Sequence, residues 1–395
     1  MTSWVRRRAG AASPTPAAAA GGSSAADALI NDLLGRRPVN LTTPELQRFL
    51  AGKRVMVTGA GGSIGSEICR QTARFAPETL VLVERAEGLL FEIDRELRQR
   101  WLGVDVVPRL VDITDAKRLS RVMAETRPQV IFHCAAHKHV PLMELNPGEA
   151  VKNNVLGTQL LAEAAVHHGA AAMVMVSTDK AVNPTSVMGA SKRCAEQLIQ
   201  HYHDRFGDRT RFVAVRFGNV LGSSGSVVPI FQRQIAQGGP VTVTHPDMRR
   251  YFMTIPEASQ LVMQAGAIGR GGEVFVLDMG EPVRILDLAR ALVRRSGLRE
   301  GKDIEIVFTG VRPGEKLFEE LNLPTELVAE TSHPRIRVWK LPPVEPETAT
   351  AMLHDLRAVA DGSRTEVIDA LRRWVPEYTP DDLPETARRE LRLAA

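Results

Sequence analysis

Residues 53–65 read Lys53-Arg54-Val55-Met56-Val57-Thr58-Gly59-Ala60-Gly61-Gly62-Ser63-Ile64-Gly65. The run Val55–Thr58 is mostly β-branched and suits a short buried strand. It leads directly into glycines and then a helical pattern, the order of elements that binds a dinucleotide. Gly59, Gly62 and Gly65 follow a G-x-x-G-x-x-G spacing. One glycine allows the tight turn, one lets the backbone approach a pyrophosphate, and one lets the helix pack on the strand. Ser63 and Ile64, between the last two glycines, are counted among the cofactor contacts.

Leu80–Val83 reads as a second buried strand and ends at Glu84, roughly 20 residues past Gly65, where a carboxylate can accept both ribose hydroxyls of NAD and repel a 2′-phosphate. The neighbouring Arg85 could instead hold that phosphate, so it weakens the preference for NAD over NADP without reversing it. Asp112-Ile113 is read as closing a third strand, with the Asp112 carboxylate meeting adenine. Val130–Ala136 is read as a fourth strand whose small residues Ala135 and Ala136 let the cofactor pass. Met173–Ser177 and Phe212–Arg216 supply two more.

Strands alternate with helical patterns of roughly 12 to 20 residues from Lys53 to about Phe217. That rhythm predicts a Rossmann-like α/β fold: a doubly wound parallel sheet with helices on both faces, followed by a smaller C-terminal substrate-binding lobe. Loops rich in Gly and Pro mark the lobe, and no internal repeat is found. The expected division is a disordered lead over 1–26, a helical arm over 27–52, an NAD-binding domain over 53–220, a substrate lobe over 221–341 and a helical extension over 342–395. Within that extension, Glu347–Ala360 and Thr365–Trp374 are amphipathic and suit packing or oligomer contacts.

Composition sets limits on function. The chain has 395 residues, 44% hydrophobic, enough for a sizeable core. Lys and Arg number 50 against 46 Asp and Glu, but the charges are scattered and aromatics make up 5%, which argues against nucleic acid. No window approaches the roughly 18 apolar residues of a membrane span, and the alanine-rich lead lacks a signal-peptide core, so a cytoplasmic location is expected. Three cysteines, Cys69, Cys134 and Cys194, lack metal-ligand spacing, so no metal is expected and the thiols should be reduced and buried. A phosphorylated small substrate would suit a mildly basic cleft, with Arg250, Arg312 and Glu315 as candidate contacts.

Residues 177–193 read STDKAVNPTSVMGASKR. A Tyr one helical turn before Lys192 would place phenol and ammonium on one helix face, ready for base chemistry. Here that position is Met188. The chain has 3 tyrosines and none precedes a lysine at that spacing, so proton chemistry must come from elsewhere. The nearest titratable groups are Asp179 and Lys180, beside the Thr178 hydroxyl.

The stretches TGAGGSIGSE, FHCAAHKHVPLME, NNVLGT, STDKAVNPTSVMGASKR, RFGNVLGSSGSVVP, MRRYFMTIPEA and GVRPGEKLFEEL, in this order over roughly Asp27–Leu323, resemble the UDP-N-acetylglucosamine 4,6-dehydratases of bacterial polysaccharide biosynthesis, within the extended short-chain dehydrogenases. Met188 at the Tyr position resembles the branch that retains configuration at carbon 5. Long members of that branch carry transmembrane helices before this region; none is read before LINDLLGRRPVNL, so a soluble short form is expected.

The resemblance implies NAD as cofactor, UDP-N-acetylglucosamine as substrate and an internal redox cycle: oxidation at carbon 4, loss of the carbon-5 proton with the carbon-6 hydroxyl, and return of hydride to carbon 6. It implies that Asp179 is the acid, Lys180 the base, Thr178 a partner of the carbon-4 oxygen, Lys192 a ribose contact and Met188 apolar packing. Lys138 and Asn219 resemble substrate contacts. For Asn154 a bracing role and a catalytic role rank equally. Such chemistry calls for a raised Asp179 pKa and a lowered Lys180 pKa. A homo-oligomer, at least a dimer, is expected. The rival readings are a UDP-sugar 4-epimerase and a catalytically silent sugar-nucleotide binder.

Overall fold

The computed structural model describes residues 43–321, 328–339 and 344–380, all within the unit Pro38–Ala395. The expected lead at 1–26, residues 27–42 of the expected arm and residues 342–343 and 381–395 of the expected extension lie outside the described residues.

The sheet is built on the strand that precedes the glycines. Its first six strands are β1 (Arg54–Thr58), β2 (Thr79–Glu84), β3 (Asp105–Leu110), β4 (Val130–His133), β5 (Ala172–Val176) and β6 (Arg211–Arg216). Across the sheet they stand in the order β3-β2-β1-β4-β5-β6, followed by Val274–Leu277, every neighbour parallel. Winding reverses between β1 and β4, which opens a crevice at their carboxyl ends. The nine-stranded sheet is completed by Ile336–Trp339 and Val328–Glu330, which pair antiparallel. Most strand residues are buried, which explains apolar runs without alternation. Met56, Val81 and Ile131 enter one core layer, while Val55, Val57, Leu80, Leu82 and Phe132 enter the other.

Two strand ends fall earlier than the sequence suggests. The β2–β3 ladder ends at Glu84 and Leu110, so Asp112 and Ile113 stand in the loop beyond. Cys134 N makes the last bond to β1, at Thr58 O (3.0 Å), and Ala135 and Ala136 lie outside the strand.

The 20-residue helix Val187–Phe206 is capped by Ser186, whose hydroxyl accepts from Gly189 N at 3.1 Å. Nearly all of its first half is buried. The two amphipathic C-terminal patterns form helices Pro346–Val359 and Arg364–Trp374. The end of the second helix and the chain just beyond it anchor to the Val187–Phe206 helix through Gln197 Nε2 donating to Trp374 O (3.1 Å) and Arg193–Glu377 (2.9 Å). Cys69 and Cys194 are buried free thiols, but Cys134 is only half-buried because it lies on the crevice wall. Among the described residues no helix is long and apolar enough to cross a membrane.

Candidate active site

At the crevice, Gly59, Gly62, Glu84, Asp112, Ile113, Ala135 and Ala136 line one cavity of about 300 Å³, joined by Arg85, Cys134, His137 and Asn153. Gly59 has φ +66°, and a Cβ there would lie 2.8 Å from Ala135 N. Gly65 packs helix on loop, since a Cβ would fall 2.1 Å from Gly59 O. The Ser63–Ala73 helix begins at Gly62 with no side chain capping it, so its first amides face the cavity mouth as an anion site. The Ser63 and Ile64 side chains are engaged elsewhere, so any part they take at the cavity is through their backbone amides: the Ser63 hydroxyl accepts from Ser224 N at 3.1 Å, and Ile64, partly buried, packs against the core.

Glu84 sits at the end of β2 as expected, but its carboxylate also braces the loop. Oε2 accepts from Gly61 N (3.1 Å), and Oε1 accepts from Arg85 N (2.9 Å) and Ala86 N (3.0 Å). Arg85 crosses to Asp112 (3.6 Å). Burial would raise the Asp112 pKa, but hydrogen bonds from Thr114 and the charge of Arg85 hold it below its usual range. Gly-loop amides, a carboxylate at the β2 end and a wall of small residues together fit a dinucleotide.

Lys192 is 4% exposed and has no hydrogen-bond partner among the described residues. Burial lowers its pKa to about 8, against the pull of Glu196 and Cys134. Beside it, His133 bridges Thr58 Oγ1 (2.7 Å) and Thr158 Oγ1 (3.0 Å). Thr158 donates to Asn154 O (2.7 Å), so the ring must donate from Nε2 and accept at Nδ1. Burial and Lys192 push the His133 pKa down to about 3, and the ring stays neutral. Asn154 lies in a π-helical stretch, Val151–Leu156, not in a regular α-helix. It accepts from His137 N (2.8 Å) and donates to His137 O and Ser191 Oγ (3.0 Å each), so it braces the loop that carries Lys138.

The triplet follows β5 in a short 3-10 turn, Asp179–Ala181. Asp179 is 1% exposed, and its Oδ1 accepts from Thr178 Oγ1 (3.0 Å) and Lys180 Nζ (2.9 Å). Oδ2 has no partner and faces the Gly218, Tyr251 and Met279 surroundings. Lys180 Nζ also reaches Asn219 Oδ1 (3.4 Å) and Glu319 Oε1 (3.5 Å). Asn219 is held by a short strand, Asn219–Val220, paired with Phe252–Met253. The Lys180 pKa departs from expectation: burial lowers it, but Asp179 and Glu319 outweigh burial and hold it above its ordinary value.

Met188 is buried in the core. Lys138 faces the same space, its ammonium 3.4 Å from Ser223 Oγ, and burial followed by the charge of Lys180 depresses its pKa. Arg250 is buried, and its guanidinium donates to Leu317 O (3.2 Å) and Lys316 O (2.8 Å). It therefore braces the lobe from within, and its Nε lies 3.8 Å from Glu319 Oε1 beside Lys180. Arg312 is exposed and paired with Glu315 at 2.6 Å. Sequence reasoning missed Glu319, His133, Glu196 and Arg216. The first lies in a Glu-Glu pair of the lobe with no spacing signal; Glu196 and Arg216 are charges and His133 a neutral ring, all hidden inside regular elements.

Residues 55–341 match the family described as polysaccharide biosynthesis protein. The capsular polysaccharide biosynthesis protein CapD of Staphylococcus aureus is 54% identical over 78% of this chain and 51% of its own length; the chain thus spans about half of that relative. A UDP-N-acetylglucosamine 4,6-dehydratase (inverting) of Campylobacter jejuni is 32% identical, covering 68% of this chain and 77% of its own. A UDP-glucose 4-epimerase of Rickettsia canadensis is 35% identical over the same shares, 68% and 77%. The X-ray structure of Pen from Bacillus thuringiensis superposes with TM-score 0.69 at 33% identity, covering 75% of this chain and 92% of that one. The chain belongs to the polysaccharide biosynthesis protein family.

Proposed function

We propose that this chain dehydrates UDP-N-acetylglucosamine to a UDP-4-keto-6-deoxy-N-acetylhexosamine, retaining configuration at carbon 5, with NAD as its resident cofactor. The observation that carries this reading is the buried Lys180–Asp179 contact of 2.9 Å at the mouth of the strand ends. When bound, NAD supplies a hydride acceptor that later returns the hydride, so no outside oxidant is needed. The glycine turn, the uncapped helix start and Glu84 would hold it, with Lys192 at the nicotinamide ribose and Met188 keeping water from that face.

The raised Lys180 pKa agrees with this chemistry if the resting form is the ion pair. Moving one proton along the hydrogen bond gives a neutral amine and a neutral carboxylic acid, the two forms that the elimination requires. Closure over a sugar removes water and favours that neutral pair. Lys180 Nζ then takes the carbon-5 proton and Asp179 gives its proton to the departing carbon-6 hydroxyl, which restores the ion pair; as hydride returns to carbon 6 the Lys180 ammonium gives a proton back to carbon 5, and the proton released from the carbon-4 hydroxyl on oxidation replaces it. In this reading Thr178 Oγ1, 3.0 Å from Asp179 Oδ1, orients the carbon-4 oxygen.

The Rickettsia relative favours a 4-epimerase as second reading. Reversible oxidation at carbon 4 has no use for an Asp–Lys pair, which supports dehydration over it. A silent binder would have no need of a buried ammonium at Lys192. Incubation of the protein and NAD with UDP-N-acetylglucosamine, followed by mass spectrometry, tests the reading. Loss of one water supports dehydration, unchanged mass with an altered sugar supports epimerisation, and no turnover supports a silent binder. Nuclear magnetic resonance of product made in deuterium oxide then reads the configuration at carbon 5.

A further inference from the structure

Glu319 comes from the lobe, far along the chain from the triplet, and its side chain is 3% exposed. Its Oε1 lies 3.5 Å from Lys180 Nζ and 3.8 Å from Arg250 Nε. The segment that delivers it is fastened to the catalytic turn at several points. Lys316 Nζ donates to Val182 O (3.0 Å), Asn183 Nδ2 donates to Glu320 Oε2 (3.2 Å), and Thr185 Oγ1 donates to Gly314 O (3.0 Å). Arg250 holds the same segment through the carbonyls of Lys316 and Leu317. A carboxylate so deeply buried and so firmly placed is costly unless its charge is used.

We infer that Glu319 is a positioning residue of this site, a second carboxylate that fixes the Lys180 amine between itself and Asp179 and governs its protonation. This rests on the dehydratase reading above for its place in the reaction, but the contact itself does not. The groups facing Lys180 are Asp179 on its own turn, Glu319 and Arg250 from the lobe, and Lys138 across the cleft, with Asn219 as a neutral acceptor. Two anions and two further cations surround it, so removing one anion tips the balance toward the neutral amine. Glu319 keeps Lys180 charged, with its Nζ aimed at Asp179, until a sugar enters.

The sign follows directly. Glu319 favours the ammonium, so Glu319→Gln lowers the pH at which Lys180 loses its proton, by about one unit. In the protein without substrate, competitive acylation of lysines with acetic anhydride, read peptide by peptide by mass spectrometry, should show the Lys180 labelling midpoint moving down by that amount. Glu319→Asp, which keeps the charge, should stay near wild type. In turnover the alkaline limb of the kcat–pH profile should move to lower pH in Glu319→Gln. A merely structural role would lower kcat without moving either midpoint. An unmoved labelling midpoint in Glu319→Gln overturns the inference whether or not the protein dehydrates sugar. Labelling that shifts while wild type fails to release water overturns the reaction assignment alone. Should Glu319→Gln fail to fold, Arg250→Gln gives the opposite sign: with that cation gone the Lys180 midpoint rises, and an unmoved or lowered midpoint contradicts the charge balance.

Discussion

The Ser177 hydroxyl donates to Glu196 Oε1 at 2.7 Å, tying the residue before the Thr178-Asp179-Lys180 turn to the helix that carries Lys192. The same oxygen accepts from Arg216 Nε at 2.6 Å, and Arg216 stacks on the Trp339 ring at 3.6 Å. Burial would raise the Glu196 pKa, but Arg216 holds it low, so the pair is charged inside the core.

Arg216→Ala leaves that buried carboxylate with only the Ser177 hydroxyl and a longer Arg193 contact of 3.7 Å. The expected cost is about 3–5 kcal/mol of unfolding free energy, read by denaturant titration. Replacing both partners with apolar residues of similar size should recover most of the stability. It should not recover turnover, because Ser177 loses its anchor. Equal loss of stability in the single and double variants contradicts this account.

His133 gives the fold an acid-sensitive element. Its pKa falls from 6.5 to about 3 on folding, so between those values the unfolded chain binds a proton that the folded chain does not. Stability from this group is present above the unfolded pKa and lost as pH falls toward 3, at up to about 1.4 kcal/mol per pH unit. His133→Asn should be less stable at neutral pH yet show a shallower decline on acidification. Parallel pH profiles for the two proteins would exclude His133 as the source.

Lys192 costs stability, and the proposed ribose contact would offset that cost. A buried ammonium without a hydrogen-bond partner should be replaceable by Met with a gain of about 1 kcal/mol at neutral pH and complete loss of turnover. The wild-type protein should gain stability as pH rises from about 8 toward 10.5, because the folded chain loses this proton first. Lys192→Met should lack that gain, and a variant less stable than wild type at pH 7 counts against the burial argument.

Gly65→Ala sets a Cβ 2.1 Å from Gly59 O. The helix start must then move off the loop, and NAD affinity measured by calorimetry should fall at least tenfold while circular dichroism stays near wild type. Unchanged affinity would show that the loop is looser than its packing implies.

The strand–glycine–helix order and the triplet were legible because both are local: backbone permissiveness and adjacent charged residues are visible in a few letters. Glu319 was not, since nothing in GEKLFEEL distinguishes Glu319 from Glu320, which pairs with Lys316 at 2.8 Å instead. Only the fold decides which of the two turns inward. The same holds for Lys180, whose protonation depends on a carboxylate from another part of the chain. Strand ends at Leu110 and His133 were misread because apolar residues continue past the point where the hydrogen-bond ladder stops. Arg250 read as a cleft residue; its partners, the carbonyls of Lys316 and Leu317 and the Glu319 carboxylate, are contacts that sequence cannot locate.

The most direct test compares wild type with Asp179→Asn and Lys180→Ala, each incubated with NAD and UDP-N-acetylglucosamine, and quantifies the ketosugar by mass spectrometry. The acid–base pair predicts water loss with wild type and at least a hundredfold lower yield rate with either variant. Undiminished ketosugar formation by both variants would place the proton chemistry elsewhere and contradict the account.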